Sequence, residues 1–120
     1  MAFDWREFLE LAKDLVDRAG TGYSAEAANR AAVSRAYYAA FCWARNYAES
    51  QLGFQRTGGV QDHEQLRKHL TAQGKPQMAS RLNRLRGWRN DCDYNDQVPD
   101  ISNRVRSALK TAERVIQECT

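Results

Sequence analysis

The feature that most constrains the fold is a long run that is rich in alanine and contains no proline. The run covers roughly residues 25–53, and Ser24 precedes it. Alanine has the highest helix propensity of all residues, and serine is a favoured residue immediately before a helix. The run therefore predicts one continuous helix. At about 1.5 Å per residue this helix is about 40 Å long, and it forms the central element of a small domain.

Apolar residues recur at helical spacing in the segments before and after the long helix. In the first segment they occupy one face of residues 5–19 and stop before Gly20, a residue type common at the C-terminal end of a helix. In the last segment the pattern begins at Asp100 or Ser102 and continues almost to the end of the chain. Both segments are predicted to be amphipathic helices that pack one face against a core.

Two shorter helices are predicted between the long helix and the last one. Asp62 is expected to cap a short helix that Gly74 closes. Pro76 fits the first turn of the next helix, which runs toward Cys92. No run alternates between apolar and polar residues over the length of a strand. The expected fold is all-α, an up-and-down bundle of four to five helices that forms a single domain over residues 1–120.

The composition fits one globular domain with a hydrophobic core. Of the 120 residues, 42% are hydrophobic and 28% are charged. No stretch approaches the ~20 apolar residues of a membrane span, and the N-terminus has no signal-peptide pattern, so the expected location is the cytoplasm, with no membrane contact. The widely spaced Cys42, Cys92 and Cys119 are expected to be free buried thiols, without a disulfide or a metal site. No cofactor is expected.

The distribution of charge is more informative than the formal net charge of +3. Residues 66–89 contain seven basic residues and no Asp or Glu. The seven are Arg67, Lys68, Lys75, Arg81, Arg84, Arg86 and Arg89. Such a segment can attract a polyanion such as RNA through long-range steering and counterion release. The alternative is that two helix faces are simply basic and solvated.

Two arginines interrupt helix faces that are otherwise apolar. Arg89 continues the face of Leu82 and Leu85 in the fourth helix, and Arg35 interrupts an alanine face of the long helix. Burying an unpaired charge is costly, so such residues are retained with partners or for a purpose. If the two helices pack face to face, Asp93 can pair with one guanidinium and leave the other free to bind an anion. Alternatively, these groups form a satisfied network that only fixes the helix register.

The long helix also carries a dense group of aromatic residues. Five lie within eleven positions: Tyr37, Tyr38, Phe41, Trp43 and Tyr47. They cannot all point to the same side of one helix. Most are expected to pack in the core and at least one to reach a second surface, for which a homodimer contact is the simplest explanation.

Two segments together resemble the HEPN superfamily. Residues 34–41 read S-R-A-Y-Y-A-A-F, and residues 85–94 read L-R-G-W-R-N-D-C-D-Y. They are similar to the S-R-x-Y-Y-A-x-F and L-x-x-x-R-N-x-x-D-Y motifs of a bacterial subgroup of that superfamily. The resemblance covers most of the chain, from about residue 24 to residue 94, and the final helix fits the closing helix of the family.

The resemblance implies a helical bundle that forms a homodimer, with the arginine motifs of both subunits facing one cleft. Many family members are metal-independent ribonucleases of toxin–antitoxin and defence systems, and their active site contains an arginine followed by a polar residue. In this chain these residues are Arg89 and Asn90. Some family toxins are silenced by a partner nucleotidyltransferase that modifies a tyrosine near the motif, which makes Tyr94 a candidate modification site. Alternatively, the Tyr94 hydroxyl only hydrogen-bonds the arginine cluster.

The chain departs from the family pattern at the active-site histidine, which follows the arginine by a few residues. Those positions hold Tyr94, Asn95 and Asp96 here. Cleaving RNA through its 2′-hydroxyl needs a group that exchanges a proton near neutral pH, which an imidazole does and a phenol does poorly. The only histidines are His63 and His69, in or near the short third helix, and surface or capping roles are expected for them.

Two functional hypotheses follow, and the sequence does not separate them. In the first, the chain is a toxin-type or defence-type ribonuclease whose basic run guides RNA. In the second, it is a catalytically inactive module that binds RNA or a nucleotide, or that partners a nucleotidyltransferase. A purely structural helical dimer is a third interpretation. The predicted catalytic residues are Arg89, Asn90, Asp93 and Tyr94, and the predicted binding residues are Arg35, Tyr38, Arg84 and Arg86.

Overall fold

Five α-helices make up most of the chain in a computed structural model, which describes residues 2–120. In chain order they are α1 (Arg6–Asp17), α2 (Ala25–Gln51), α3 (Asp62–Ala72), α4 (Pro76–Tyr94) and α5 (Ile101–Glu118). No β-strand is present in residues 2–120, and no helix there has an apolar stretch long enough to cross a bilayer. The predicted all-α bundle is confirmed, with helix boundaries within a few residues of those expected.

Helix α2 is the central helix, because its alanine-rich faces let other helices approach closely. It packs extensively against α1, α4 and α5, and less against α3. Ala36 and Ala40 are completely buried along it, while the facing helices supply larger buried side chains such as Leu66, Leu82 and Val105. Small residues opposite large ones give the dense packing typical of protein interiors. One face of α2 therefore lies directly against α4, which carries the predicted site.

Several helix ends follow the predicted signals. The Oγ of Ser24 accepts a hydrogen bond from the Ala27 N–H at 3.0 Å and caps α2. Just after α2, Gly53 has a φ of +72°, a conformation that favours glycine. Pro76 occupies the first turn of α4, where its missing N–H has no partner to lose. These local signals fix where α2 and α4 begin and where α2 ends.

The predicted capping role of Asp62 is wrong. Gln61 is the residue that precedes α3, and Asp62 lies in the first turn of the helix. The Asp62 carboxylate instead accepts hydrogen bonds from the Thr57 N–H at 2.8 Å, the Thr57 hydroxyl at 2.7 Å and the Gly58 N–H at 2.8 Å. These bonds, first that from the Thr57 backbone, hold the pKa of Asp62 below its ordinary value. Asp62 thus ties the preceding loop to α3.

The three cysteines are free thiols, and the predicted burial holds for two of them. Cys42 and Cys92 are buried, and Cys119 is half-buried. Burial raises the pKa of Cys92 to about 11 and that of Cys119 to about 12. Both of these side chains are therefore protonated near neutral pH.

Candidate functional site

The C-terminal end of α4 is held by an arginine of α2. Nη1 of Arg30 donates to the carbonyl oxygens of Cys92 at 3.0 Å and Asn95 at 2.6 Å, and its Nη2 donates to that of Asp96 at 3.0 Å. Carbonyls at a helix end lack partners within the helix, and the helix dipole also favours a cation there. Arg30 therefore fixes the last turn of α4, which carries the predicted catalytic residues.

Arg89 projects from α4 into a polar cluster, with 17% of its side chain exposed. Its Nε lies 2.9 Å from Oδ2 of Asp93, and its Nη1 donates to Oδ1 of Asn90 at 3.0 Å. The Nε–H does not point at Asp93, so this contact is an ion pair without a hydrogen bond. The guanidinium carbon lies 5.2 Å from the ring centre of Tyr38 and 5.7 Å from that of Tyr94. The structure thus brings together the four predicted catalytic residues and Tyr38.

Asp93 links α4 to α2. Ser34 is buried on α2, and its hydroxyl donates to Oδ2 of Asp93 at 3.4 Å. The same carboxylate oxygen contacts Nε of Arg89. The two helices therefore face each other at this point, and the Asp93 carboxylate contacts one side chain from each helix.

Arg35 lies beside this cluster without sharing Asp93. Its guanidinium carbon is 5.0 Å from the ring centre of Phe8 in α1 and 5.8 Å from that of Tyr38. Within residues 2–120 the carboxylate of Asp93 pairs with Arg89, and Arg35 forms no ion pair. Arg35 thus keeps an unpaired charge over an aromatic surface next to the site.

His63 lies inside the same cluster, and its predicted surface or capping role is wrong. The imidazole is half-buried and stacks on the ring of Phe41, with 4.1 Å between the ring centres. Its Nδ1 forms a hydrogen bond with the hydroxyl of Tyr37. The ring of Tyr38 meets it edge-on, at 6.4 Å between centres. Three aromatic residues of α2 therefore surround a histidine of α3.

His69 has the predicted capping role. Its Nε2 donates to the carbonyl oxygen of Leu52, the residue that follows α2, at 2.6 Å. The two histidines of the chain therefore have different structural roles. His63 contacts the predicted site, whereas His69 holds a helix end.

Burial and three arginines keep the His63 ring neutral. The pKa of His63 is lowered from 6.5 to about 4, first because burial disfavours the charged ring and then through the positive charges of Arg86, Arg89 and Arg67. Burial also raises the pKa of Tyr37 above its ordinary value. Near neutral pH this hydrogen-bonded pair therefore consists of an uncharged imidazole and an uncharged phenol.

Arg67 and Arg86 add positive charge beside His63. Nη1 of Arg67 donates to the backbone carbonyl of His63 at 3.1 Å. Nε of Arg86 is buried without a hydrogen-bond partner in the described part of the chain. A buried donor without a partner costs free energy, and such cases are rare in native proteins. The guanidinium of Arg86 is therefore not committed to an internal acceptor.

The rest of the basic run does not converge on Arg89. Arg84 is exposed and lines a shallow concavity elsewhere on α4, together with Arg81. Arg81 itself pairs with Glu118 of α5 at 2.5 Å. Arg67 also lines a groove between α3 and α4. The structure thus bonds Arg67 to the backbone of His63, places Arg86 close enough for its charge to act on the ring, and leaves the predicted binding residue Arg84 outside the cluster.

The five aromatic residues of α2 divide between the core and the partly exposed surface. Two are buried and three are half-buried. The guanidinium of Arg6 lies 4.5 Å from the ring centre of Trp43, and the ammonium of Lys75 lies 5.8 Å from that of Tyr47. Among residues 2–120 the exposed large hydrophobic residues are Phe3, Leu11, Tyr23, Val60 and Tyr94. The half-buried rings therefore reach the surface, and the homodimer contact stays a prediction.

Arg30 and His63 are the residues whose roles the sequence did not indicate. The position of Arg30 on an alanine-rich helix does not indicate which carbonyl groups its guanidinium contacts. For His63 a signal exists, because Tyr37, Tyr38 and Phe41 form an aromatic face on α2 that a flat ring can cover.

The site combines guanidinium groups, one carboxylate and a neutral imidazole, and the ring of Tyr38 meets both Arg89 and His63. Across residues 2–120, no three side chains of His, Cys, Asp or Glu converge as a metal site requires. The chain matches no protein-family model, no curated protein and no solved structure.

Proposed function

We propose that this chain is a HEPN-type protein that acts on RNA as a metal-independent ribonuclease, with Arg89 contacting the scissile phosphate. The observation that carries the proposal is the cluster around Arg89, whose guanidinium lies against the rings of Tyr38 and Tyr94, while the ring of Tyr38 also meets that of His63. Guanidinium groups bind phosphate oxygens through paired hydrogen bonds. They also stabilise the charge that develops on a phosphate in the transition state.

The balance of charge favours an anion at this site. Of the three guanidinium groups near His63, only that of Arg89 forms an ion pair within residues 2–120, and its partner is Asp93. Nη1 of Arg89 is bonded to Asn90, and its Nη2 forms no hydrogen bond in the same part of the chain. A phosphate would therefore meet donors that are not already committed.

Tyr94 supports a single-stranded substrate. The residue is 73% exposed, and its ring centre lies 5.7 Å from the guanidinium carbon of Arg89. An exposed ring next to a cation can stack on an unpaired base while the guanidinium binds the adjoining phosphate. The substrate class that we propose is therefore single-stranded RNA.

The proposal includes a cytoplasmic homodimer in which two copies of Arg89 face a shared cleft. The resemblance of residues 34–41 and 85–94 to HEPN motifs supports it, and exposed apolar side chains such as Phe3 and Leu11 offer contact area. Sedimentation velocity at the concentrations of the activity assay is expected to show a dimer. A monomer that is fully active would remove the shared cleft from the proposal.

A second candidate function is supported by the residue at position 94. A tyrosine stands where the family motif has its histidine, and a phenol is a poor proton acceptor near neutral pH. In this case the chain is an inactive module that binds RNA or a nucleotide, or that partners a nucleotidyltransferase able to modify Tyr94. This candidate predicts binding that depends on Arg89 and no cleavage.

Incubating the purified chain with labelled single-stranded RNA in excess EDTA tests the ribonuclease proposal. The wild type is expected to cut the RNA. Arg89→Ala is expected to lose about 10²-fold or more of the rate, because it lacks the donor at the phosphate. Arg84→Ala is the matched control and should cut like the wild type, since Arg84 lies outside the cluster. Circular dichroism and thermal melting establish that both variants are folded.

Binding of a non-cleavable 2′-fluoro strand separates the two candidates. A wild type that binds this strand through Arg89 but leaves RNA intact supports the inactive module. A wild type that neither binds nor cuts would overturn the ribonuclease and the RNA-binding module. Arg89 would then serve only as the partner of Asp93 within a structural bundle.

A further inference from the structure

The site contains a proton acceptor, although the motif position holds a tyrosine. We infer that His63 is the base of RNA cleavage, with its Nε2 taking the proton of the 2′-hydroxyl while Arg89 and Arg86 hold the phosphate. This inference rests on the proposed function and names the catalytic group that the function requires. His63 comes from α3, so the base and the phosphate-binding arginines are on different helices.

His63 and Arg89 lie against the same aromatic ring. The ring centre of Tyr38 is 6.4 Å from that of His63 and 5.2 Å from the guanidinium carbon of Arg89. Arg89 and His63 therefore lie beside one ring, and in the proposed complex the nucleotide whose phosphate Arg89 binds spans from one to the other. The 2′-hydroxyl that attacks this phosphate belongs to that same nucleotide.

The hydrogen bonding of the ring leaves one nitrogen available. Nδ1 of His63 is bonded to the hydroxyl of Tyr37. Nε2 forms no hydrogen bond within residues 2–120, and it is exposed to solvent. When the Tyr37 oxygen accepts the Nδ1–H, Nε2 carries the lone pair that a base needs. Tyr37 is then a positioning residue, like the third group that orients the base in hydrolase sites.

The reaction balances without a metal or a redox partner. Nε2 of His63 accepts the 2′-hydroxyl proton as the O2′–P bond forms, and the P–O5′ bond breaks. The leaving O5′ takes a proton from solvent water, and His63 returns its proton to solvent. The products are a 2′,3′-cyclic phosphate and a 5′-hydroxyl end. Arg89 and Arg86 offset the negative charge on the phosphate during this exchange.

The charges around His63 make its basicity depend on the bound phosphate. The groups that face the ring are Tyr37 and Tyr38 from α2, Asp62 and Arg67 from α3, and Arg86 and Arg89 from α4. The three guanidinium charges help to lower the pKa of His63 to about 4 in the free chain. A bound phosphodiester offsets part of this charge and raises that pKa. The acid limb of kcat/KM is therefore expected near pH 4, and that of kcat at higher pH.

Substitution of His63 by asparagine tests the inference in the full chain. Asparagine can still bond to Tyr37 but cannot accept a proton. His63→Asn is expected to lower kcat by about 10²-fold or more, with unchanged affinity for the 2′-fluoro strand and no acid limb in the residual activity. Tyr37→Phe should lower kcat less and leave KM unchanged, because only the orientation of the ring is lost. His69→Gln is the control and should keep the wild-type rate and pH profile.

A titration of the wild type gives a readout that does not depend on a variant. The His63 ring is expected to titrate near pH 4 in the free chain, and at higher pH when the 2′-fluoro strand is bound, as followed by NMR of the imidazole. An active wild type with an unaffected His63→Asn variant, or an unchanged titration, would overturn this inference and leave the proposed function standing. A wild type that does not cut RNA would overturn both.

Discussion

Acid is expected to destabilise the fold through one half-buried imidazole, that of His63. The pKa of His63 is lowered from 6.5 to about 4 in the folded chain, so the folded state binds the proton less tightly than the unfolded state. The stabilisation from the neutral ring is complete above about pH 6.5 and is lost as the pH falls toward about 4. A fully shielded ring would contribute about 3 kcal/mol. Because the ring is only half-buried, solvent screening reduces this to about 1 to 2 kcal/mol.

Urea unfolding between about pH 7 and about pH 4 measures this contribution. Over that range the wild type is expected to lose about 1 to 2 kcal/mol more of its free energy of unfolding than His63→Asn. His69→Gln should follow the wild type. Hydrogen bonds and arginines also lower the pKa of carboxylates such as Glu49 and Glu118, but these groups titrate in all three proteins and cancel in the comparison. Parallel curves for the wild type and His63→Asn would refute the burial of a neutral ring.

Two further variants test how the site is held in place. Arg30→Met keeps the aliphatic stem but removes the hydrogen bonds to the carbonyls at the end of α4. It is expected to lower the free energy of unfolding by about 1 to 3 kcal/mol. Amide hydrogen exchange should become faster first in the last turn of α4, and unchanged exchange there would contradict the role of Arg30 in holding that turn. Asp62→Asn weakens the bonds to Thr57 and Gly58. The pKa of Asp62 is lowered on folding, so the Tm of the Asp62→Asn protein should lie below that of the wild type near neutral pH and approach it in acid. A Tm difference that stays constant with pH would contradict the stabilising role of the carboxylate charge.

The parts of this structure that the sequence predicts are those that depend on neighbours within one helical turn. The cap at Ser24 and the start of α4 at Pro76 are of this kind, because each follows from the backbone needs of a helix end. The pairing of Arg89 with Asp93 is also local, since residues four apart share a helix face. The helical periodicity of the sequence therefore predicts both the helices and the Arg89–Asp93 pair of the site.

The parts that the sequence does not predict depend on how separate helices approach each other. His63 joins the site only because α3 lies across the aromatic face of α2. Arg30 reaches carbonyls that every helix end offers, and its residue type does not select them. The Asp62 carboxylate could accept hydrogen bonds from the amides of α3 or from those of the preceding loop. The path of the loop brings the amide of Thr57 to it. Each of these contacts is set by tertiary packing.

Binding of RNA by Arg89 can be measured without any chemistry. Fluorescence anisotropy of a labelled 2′-fluoro strand over a series of salt concentrations gives both the affinity and the number of phosphate contacts. Arg89→Ala is expected to weaken binding by about tenfold or more and to reduce the slope of log affinity against log salt by about 0.7 for each lost contact. Arg84→Ala should leave the affinity nearly unchanged. An Arg89→Ala protein with wild-type affinity and slope would contradict the assignment of Arg89 to an RNA phosphate.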